Sequence, residues 1–493
     1  MNSSIPSLIS QKRESFRVNI RKIHHDDYFN SKRFSVLSST TSTKMSVPLE
    51  LESDPFSPAF IESLSEALSS HDLSSSSPSI ADLSVHLKGL SLLIEKKAWF
   101  DSDLIEKLLF YCFRYMDSLD DKVLVDFCFF LEKLCMFCPI YYDKLVSMRI
   151  VEKMKSLLQT HRKSRDITES VFFCFTQISS NPEYIELLMK NDIVLEILIT
   201  LLLDKSSLVL VKMISWLTYN MTTGVPDFKP YYSYGKFLFT ICAQMLEISS
   251  KEVVTCNLAS IYYLINEDKL DDFCFNKDFL INDKIHILEF VNKCYRNNDD
   301  DIKIGALKIA YKVSLGKEKH AELLIEKGLI KSIIGLLREK SEKIQTDSLV
   351  IIGNAVDTPK HLDHCLQNGL LEELFEVFMG NSTLNLKKEC VLCLAQCTMS
   401  LTEGHWLVFV KEARVLELFC EALDIFGESE VIKLSLSGIQ NVLACAGEDE
   451  EKIRFCKIVL EGQGFDKIIE KMTGHHEGEV SLKAMELANM IKF

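Results

Sequence analysis

The stretch SWLTYNMTTGVPDFKP, residues 215–230, decides how this chain folds. Trp216 and Asn220 lie four residues apart, about one helical turn, so both side chains project from the same face of a helix. Gly224 and Pro226 follow and interrupt the helical pattern. The stretch therefore predicts a helix that presents an indole ring and a carboxamide on one face.

Equivalent helices recur along the chain at a nearly constant interval. The positions that match Asn220, which we call the slots, are Lys133, Gln177, Asn220, Tyr263, Lys312, Asn354, Gln396 and Asn441. Their spacings are 44, 43, 43, 49, 42, 42 and 45 residues. Gly328, Gly369 and Gly464 indicate where one helix ends and the next begins. This period is typical of armadillo and HEAT units, so we predict an all-α, right-handed superhelical solenoid of about ten armadillo repeats.

Composition and charge exclude several other classes of protein. The 493 residues are 47% hydrophobic and include only 10 prolines, which favours a helix-rich globular chain. We find no apolar run of about 18 residues and no signal-peptide core, so we expect no membrane insertion. The net charge of −14 disfavours direct nucleic-acid binding. Phosphate-loop, nucleophile-elbow and zincin motifs are missing, so we expect neither an enzyme nor a cofactor.

The 16 cysteines lie mostly among Leu, Phe and Val, which indicates reduced, buried thiols rather than a disulfide framework. The pairs Cys135-x-x-Cys138 and Cys390-x-x-Cys393 have the spacing of half a zinc site. Neither has a second Cys or His pair nearby, so we interpret both as structural.

Composition also divides the chain into three zones. Residues 1–45 form an arm that is rich in Lys, Arg and His between positions 11 and 33. Residues 46–79 form a Ser-rich flexible linker, and residues 80–493 carry the repeats.

Three segments of the chain resemble importin-α, the armadillo adaptor of nuclear protein import. Residues 215–230 are similar to the family's fourth repeat, in which Trp-x-x-x-Asn faces a concave groove. Residues 448–491 resemble its last repeat nearly throughout. Residues 11–34, QKRESFRVNIRKIHHDDYFNSKRF, are similar to its importin-β-binding segment. The basic residues that this resemblance assigns to importin-β binding are Lys12, Arg13, Arg17, Arg21, Lys22, Lys32 and Arg33.

The resemblance also implies a groove for extended cargo peptides. Its candidate residues are Trp216, Asn220, Gln177, Phe173, Asn181, Tyr263, Lys308, Asn354 and Gln396. The chain departs from the family array, since Phe129 with Lys133, and Phe173 with Gln177, replace two Trp–Asn pairs. Asn181 stands where the family has an aspartate that holds a ligand lysine. We therefore expect a weaker or altered preference for Lys and Arg.

The implied function is an adaptor that shuttles between cytoplasm and nucleus. Its implied partners are importin-β, cargo proteins with basic or extended signal peptides, and an export factor at the last repeat. The main alternative is a cytoskeletal or ciliary armadillo scaffold without transport activity, which would not need the arm. The arm could also be a nucleic-acid or membrane-surface tail, and Trp216 could be an ordinary core residue.

Overall fold

The structure is a computed structural model that describes residues 80–95, 102–116, 119–204, 206–224, 232–265, 270–275, 280–281, 285–412 and 414–491. The predicted arm (1–45) and linker (46–79) lie outside the described residues, so their boundaries stay predictions. The described residues form two compact units. We call those up to Leu264 the N-terminal unit and those from Ile265 onward the C-terminal unit.

In the N-terminal unit the described residues are almost all helical. The helices are α1 (Ile80–Glu95), α2 (Ser102–Tyr115), α3 (Asp121–Phe137), α4 (Tyr142–Ser147), α5 (Ile150–Thr160), α6 (Arg165–Ile178), α7 (Ile185–Lys190), α8 (Ile193–Leu203), α9 (Leu208–Thr223), α10 (Tyr232–Met245) and α11 (Lys251–Leu264). Short 3₁₀ turns at Pro139–Tyr141 and Pro182–Tyr184 lead into α4 and α7.

The C-terminal unit continues the helical pattern and adds one small strand pair. Its helices are α12 (Leu270–Phe275), α13 (Ile287–Cys294), α14 (Asp300–Ser314), α15 (Glu318–Glu326), α16 (Leu329–Gly335), α17 (Glu342–Ala355), α18 (Pro359–Gln367), α19 (Leu370–Met379), α20 (Leu384–Thr398), α21 (Val415–Ile425), α22 (Ser429–Cys445), α23 (Glu450–Gly462), α24 (Phe465–Thr473) and α25 (Gly478–Ile491). Strands β1 (Leu280–Ile281) and β2 (Ile285–His286) pair antiparallel. Further short segments are the 3₁₀ turns Leu336–Arg338 and Glu403–His405 and the π-helix Val408–Glu412.

A full repeat combines a short first helix, a second helix and a long third helix, as in α4, α5 and α6. The third helices pack in succession, as α1, α3, α6, α9 and α11 in the N-terminal unit and α14, α17, α20, α22 and α25 in the C-terminal unit. All eight slots fall on these helices. The three-helix unit is the armadillo arrangement. The predicted all-α solenoid is therefore confirmed, and its five third helices in each unit agree with about ten repeats.

The apolar faces of the helices form the core of each unit. Phe127, Phe130, Phe172 and Phe175 are completely buried in the N-terminal unit, as is Phe419 in the C-terminal unit. Burying one such side chain stabilises the fold by about 1.5–3 kcal/mol. A repeat can bury this surface only against its neighbours, so stacking supplies most of the stability.

A residue in the left-handed conformation precedes the second helix in six repeats. Three of the six are the glycines that the sequence indicated, and three are not glycine. With their φ angles, they are Gly328 (72°), Gly369 (81°), Gly464 (67°), Arg149 (59°), Asp192 (55°) and Arg414 (53°). This conformation costs a non-glycine residue about 1–2 kcal/mol. The helices on either side of the junction therefore impose it even where no glycine marks it.

All sixteen cysteines are free and buried. Burial raises the pKa of the Cys128 thiol to about 12, with the nearby charge of Glu132 as a smaller cause, so little reactive thiolate forms near neutral pH. Among the described residues, no three His, Cys, Asp or Glu side chains are grouped so that they could hold a metal ion. Nor does any helix in this part of the chain have the length and apolarity to cross a membrane.

Candidate functional site

We define the slot face as the side of a third helix that carries the slot and the position one turn before it. On α9 these two positions are Asn220 and Trp216. Trp216 is 5% exposed but lies outside the main core of the N-terminal unit. It forms a separate cluster with Tyr219, Cys256 and Ala259, against which Tyr263 packs. The slot faces of α9 and α11 thus share a small buried aromatic cluster that is separate from the main core.

The rings in this aromatic cluster contact each other at ordinary distances. The centroids of Trp216 and Tyr219 are 5.5 Å apart, with the ring planes tilted by 37°. On α11 the rings of Tyr262 and Tyr263 meet edge to face at 5.2 Å. Such pairs hold the rings in fixed positions and contribute about 0.5–1.5 kcal/mol beyond their burial. The packing of the cluster therefore fixes the orientation of these rings.

Asn220 links its helix to the preceding repeat. Its side-chain Nδ2 donates to Ser179 Oγ at 3.0 Å and to the carbonyl oxygen of Thr176 at 3.4 Å. Ser179 follows the slot Gln177 by two positions and ends α6. One part of the Asn220 amide therefore has a structural task that the sequence did not predict.

The same amide–hydroxyl link occurs in the C-terminal unit. Asn354 donates to Ser314 Oγ at 3.3 Å, and Asn441 donates to Thr398 Oγ1 at 3.2 Å. Ser314 and Thr398 each follow the slot of the preceding repeat by two positions, like Ser179. A hydroxyl at this position followed by Asn in the next slot is a signal that sequence reasoning missed.

Three polar atoms on the slot faces of α6 and α9 have no hydrogen-bond partner. They are Nε2 of Gln177, Nε1 of Trp216 and Oδ1 of Asn220, all fully buried. Leaving a buried donor or acceptor unpaired costs about 1–3 kcal/mol. Two donors and one acceptor on two helices that pack against each other match the polar groups of a polypeptide backbone, which carries one donor and one acceptor per residue.

The other predicted residues of the N-terminal unit take different positions. Phe173 is buried yet lies outside the main core, as Trp216 does. Asn181 is taken up by the turn that precedes α7, where its Oδ1 accepts from the Glu183 backbone N–H at 3.1 Å. Phe173 therefore places an aromatic ring on the slot face of α6, whereas Asn181 is engaged in local backbone capping.

In the C-terminal unit the predicted slot-face residues are Lys308 on α14, Asn354 on α17 and Gln396 on α20. Gln396 packs against Gly353, where an added Cβ would come within 1.9 Å of the Gln396 Oε1. Lys312 Nζ donates to the carbonyl oxygen of Ile265 at 3.3 Å. These side chains lie along successive third helices of one unit, as the slot spacing predicts.

Sequence reasoning missed two carboxylates that lie two turns before the slots of α17 and α20. Asp347 forms an ion pair with Lys343 at 2.6 Å through Oδ1, while its buried Oδ2 has no partner. Burial raises the pKa of the neighbouring carboxyl, Glu389, and the charge of Asp347 raises it further. In the N-terminal unit α3 also carries a carboxylate, Asp126, two turns before its slot, so this feature occurs in both units.

An open crevice in the C-terminal unit is a separate feature. It encloses about 460 Å³ and is lined mainly by Glu372, Glu373, Glu376 and Arg338. Arg338 is already paired with Glu373. The crevice contains no slot residue and is not part of the candidate site.

Comparisons with known proteins identify the fold and leave the family open. No protein-family model matches the chain, and no curated protein matches its sequence. The crystal structure of an engineered protein from the Northeast Structural Genomics Consortium is similar over 88% of this chain and 99% of its own, with a TM-score of 0.65 and 16% identity. At this identity the likeness shows the fold alone.

Designed armadillo repeat proteins are more distantly similar in structure. One, in complex with the peptide (KR)4, matches with a TM-score of 0.42 and 20% identity over 52% of this chain and 99% of its own. Another, computationally designed for modular peptide recognition, matches with the same score and identity over 52% of this chain and 100% of its own.

Proposed function

We propose that this chain is a non-enzymatic adaptor that binds extended peptide segments of partner proteins along the slot faces of α6, α9 and α11. The observation that carries the proposal is the set of unpaired atoms Gln177 Nε2, Trp216 Nε1 and Asn220 Oδ1 beside the aromatic cluster. A peptide backbone in the extended conformation would donate to Asn220 and accept from Gln177 and Trp216 once these side chains, whose polar atoms are buried in the absence of a ligand, turn toward it. Each such bond contributes about 0.5–1.5 kcal/mol net.

The aromatic side chains add the second part of peptide recognition. Trp and Tyr bury large areas with few rotatable bonds, so ordering them costs little entropy. The 5.5 Å contact between Trp216 and Tyr219 already restricts both rings. Side chains of the peptide that point toward the helices would pack between these rings, while the polar atoms hold the backbone.

A more specific proposal is that the adaptor serves nuclear import. Its support is the resemblance of residues 11–34 and 448–491 to importin-α. Residues 11–33 would fold on binding importin-β, with Arg13, Arg17 and Arg21 facing an acidic surface. The adaptor would then shuttle between cytoplasm and nucleus and carry cargo peptides in its groove.

Peptide binding is tested by selecting peptides displayed on phage against the full chain and titrating the enriched peptides, with fluorescence anisotropy as the readout. A basic nuclear-localisation peptide is titrated in parallel, with the full chain and with a variant that lacks residues 1–45. We expect saturable binding that weakens about tenfold or more in Trp216→Ala, since buried tryptophans dominate such interfaces. Trp406→Ala is the matched control, because Trp406 is also buried but is bonded to Cys456 away from the slots. Equal losses in both variants, or no saturable binding, would contradict the proposal.

The import proposal has its own test. Purified importin-β is incubated with the full chain and with the variant that lacks residues 1–45, and complex formation is measured by size-exclusion chromatography. Loss of the complex on removing the arm is expected. A complex that persists without the arm, or fails to form with it, would rule out this role and favour an armadillo scaffold without transport.

A further inference from the structure

The hydroxyl group that accepts from Asn220 cannot also donate to it. A hydroxyl carries one proton, and a carbonyl oxygen can only accept. Ser179 Oγ donates its proton to the carbonyl oxygen of Thr176 at 2.8 Å. Asn220 therefore meets two acceptors in the preceding repeat, Ser179 Oγ and the Thr176 carbonyl oxygen, and only its NH₂ group can satisfy them. These two atoms fix the orientation of the amide, with Nδ2 toward the preceding repeat and Oδ1 on the other side.

The same arrangement recurs twice in the C-terminal unit. There too, the hydroxyl donates to the carbonyl oxygen three positions earlier on its own helix. The two pairs are Ser314 Oγ with Tyr311 at 2.7 Å and Thr398 Oγ1 with Ala395 at 2.6 Å. The asparagines of the next slots, Asn354 and Asn441, therefore also turn Nδ2 toward a hydroxyl that can only accept.

The glutamine slots follow positions that lack a hydroxyl. The residue two positions after the preceding slot is Cys135 before Gln177 and Val356 before Gln396. Gln177 leaves a donor, Nε2, unpaired, whereas Asn220 leaves an acceptor, Oδ1, unpaired. The amide slots of α6 and α9 therefore offer a ligand opposite hydrogen-bonding groups.

The orientation of the Asn220 amide restricts how it can reach a ligand. Asn220 is 1% exposed, so a peptide has to displace the side chains around it. Rotating the amide by half a turn would place Oδ1 against two acceptors and leave both without a donor, which is unfavourable for buried groups. The amide therefore moves toward a peptide only in the orientation that presents its oxygen.

We infer that Ser179 is a positioning residue that restricts Asn220 to accepting a hydrogen bond from a peptide N–H group. This inference rests on the proposed peptide-binding function and specifies which peptides the site takes. The peptide residue opposite Asn220 must carry a backbone N–H. Proline and N-alkylated residues lack this donor and are excluded at that position, whereas the bond does not depend on the side chain of the residue.

The test uses the tightest peptide that phage selection on the full chain yields, made with one backbone amide at a time replaced by an ester. The ester removes the N–H donor and keeps every side chain. We expect one position at which the ester weakens binding about five- to tenfold. This penalty should disappear in Asn220→Ala, which assigns the position to this slot.

Variants of Ser179 test its positioning role. In Ser179→Ala, Asn220 Nδ2 keeps only the 3.4 Å contact to the Thr176 carbonyl oxygen, so the amide can rotate. The ester penalty at the assigned position should then fall to about twofold or less. Ser179→Thr restores a hydroxyl, which Thr398 supplies at the equivalent position, and should restore the penalty. Ser179→Cys, with the side chain of Cys135, is the second variant if Ser179→Ala does not fold.

A matched control separates positioning from stability. Asn257 also donates to a hydroxyl of the preceding repeat, Ser215 Oγ, and leaves its Oδ1 unpaired. It lies six positions before the slot Tyr263, off the slot face. Asn257→Ala should therefore leave every ester penalty unchanged. A general loss of stability would weaken the ester and amide peptides alike and would not change their ratio.

Two failures can be told apart. If the peptide binds and Trp216→Ala weakens it, but no ester penalty depends on Asn220, the positioning inference is overturned. An ester penalty that depends on Asn220 but is unchanged in Ser179→Ala or Ser179→Cys overturns it as well. If no peptide binds saturably, both the inference and the proposed function fail.

Discussion

The hydrogen bond between Asn220 and Ser179 should behave as a structural link between repeats, even without a ligand. The perturbation is a double-mutant cycle of Ser179→Ala, Asn220→Ala and the combined variant. The bond joins Asn220 Nδ2 to Ser179 Oγ at 3.0 Å between residues that are 1% and 0% exposed. Because both groups are buried, water cannot replace a hydrogen-bond partner that is removed.

The two single substitutions should differ in size. Ser179→Ala leaves Asn220 Nδ2 with only the longer contact to the Thr176 carbonyl oxygen at 3.4 Å, which we expect to cost about 1–2 kcal/mol. Asn220→Ala removes the same bond but also removes the unpaired Oδ1, whose burial is unfavourable by about 1–3 kcal/mol. Asn220→Ala should therefore lower the unfolding free energy by less than the burial of the Asn220 side chain alone would suggest. The coupling between the two sites should be about 0.5–1.5 kcal/mol.

Urea unfolding at 25 °C, followed by circular dichroism at 222 nm, measures these differences in unfolding free energy. The control cycle pairs Ser179→Ala with Asn257→Ala, because Asn257 Nδ2 donates instead to Ser215 Oγ at 3.1 Å and to the Val253 carbonyl oxygen at 2.7 Å. The control coupling should stay within about 0.5 kcal/mol of zero. A Ser179–Asn220 coupling no larger than that of the control would show that this hydrogen bond does not stabilise the contact between the repeats.

Three further predictions concern the stability of the C-terminal unit. Burial raises the pKa of Glu389 in the folded state. Between the unfolded-state pKa and this higher folded-state pKa, the folded state binds more protons than the unfolded state, so the free energy of unfolding falls as pH rises. Glu389→Gln should therefore raise the urea midpoint at pH 7, with a gain that shrinks toward pH 4; an equal gain at both pH values would exclude this cause. Gly464→Ala should lower the unfolding free energy, measured with urea, by about 1–2 kcal/mol, because the φ angle of Gly464 is 67°. The control is Gly462→Ala, at a helical position with open space around it, which should be neutral or slightly stabilising. Gly438→Ala should lower the unfolding free energy by about 1–3 kcal/mol in the same assay, because the new Cβ would lie 2.3 Å from the Phe419 ring. An unchanged urea midpoint would show that this ring can move aside.

The positions of the third helices could be predicted because their signal is local. Apolar residues recur with the helical period, and the slot residues recur every forty-odd positions, from Lys133 to Asn441. These patterns require no knowledge of which helices touch. Gly328, Gly369 and Gly464 are informative for the same reason, since a left-handed junction favours glycine wherever it occurs.

Other features were not predictable from local patterns. Arg149, Asp192 and Arg414 adopt the same left-handed junction, although their own preference is against it. Only the packing of the flanking helices imposes it. The partner of Asn220 was equally hidden, because Ser179 lies 41 positions away and becomes a neighbour only when α6 and α9 stack in one register.

The amino-acid pattern is enough to show that this protein is a stack of helical repeats, since period, apolar patterning and helix breaks act within a few turns of chain. It also determined which residues share the slot face, because side chains four positions apart on a helix lie on one side. Which of those side chains already have hydrogen-bond partners depends on how the repeats stack. Stacking pairs the Asn220 Nδ2 with the preceding repeat, leaves its Oδ1 and two neighbouring donors unpaired, and holds Lys133 beside two rings. The reason is physical: hydrogen-bond satisfaction and burial depend on distances between repeats, which the residues of a single repeat do not fix.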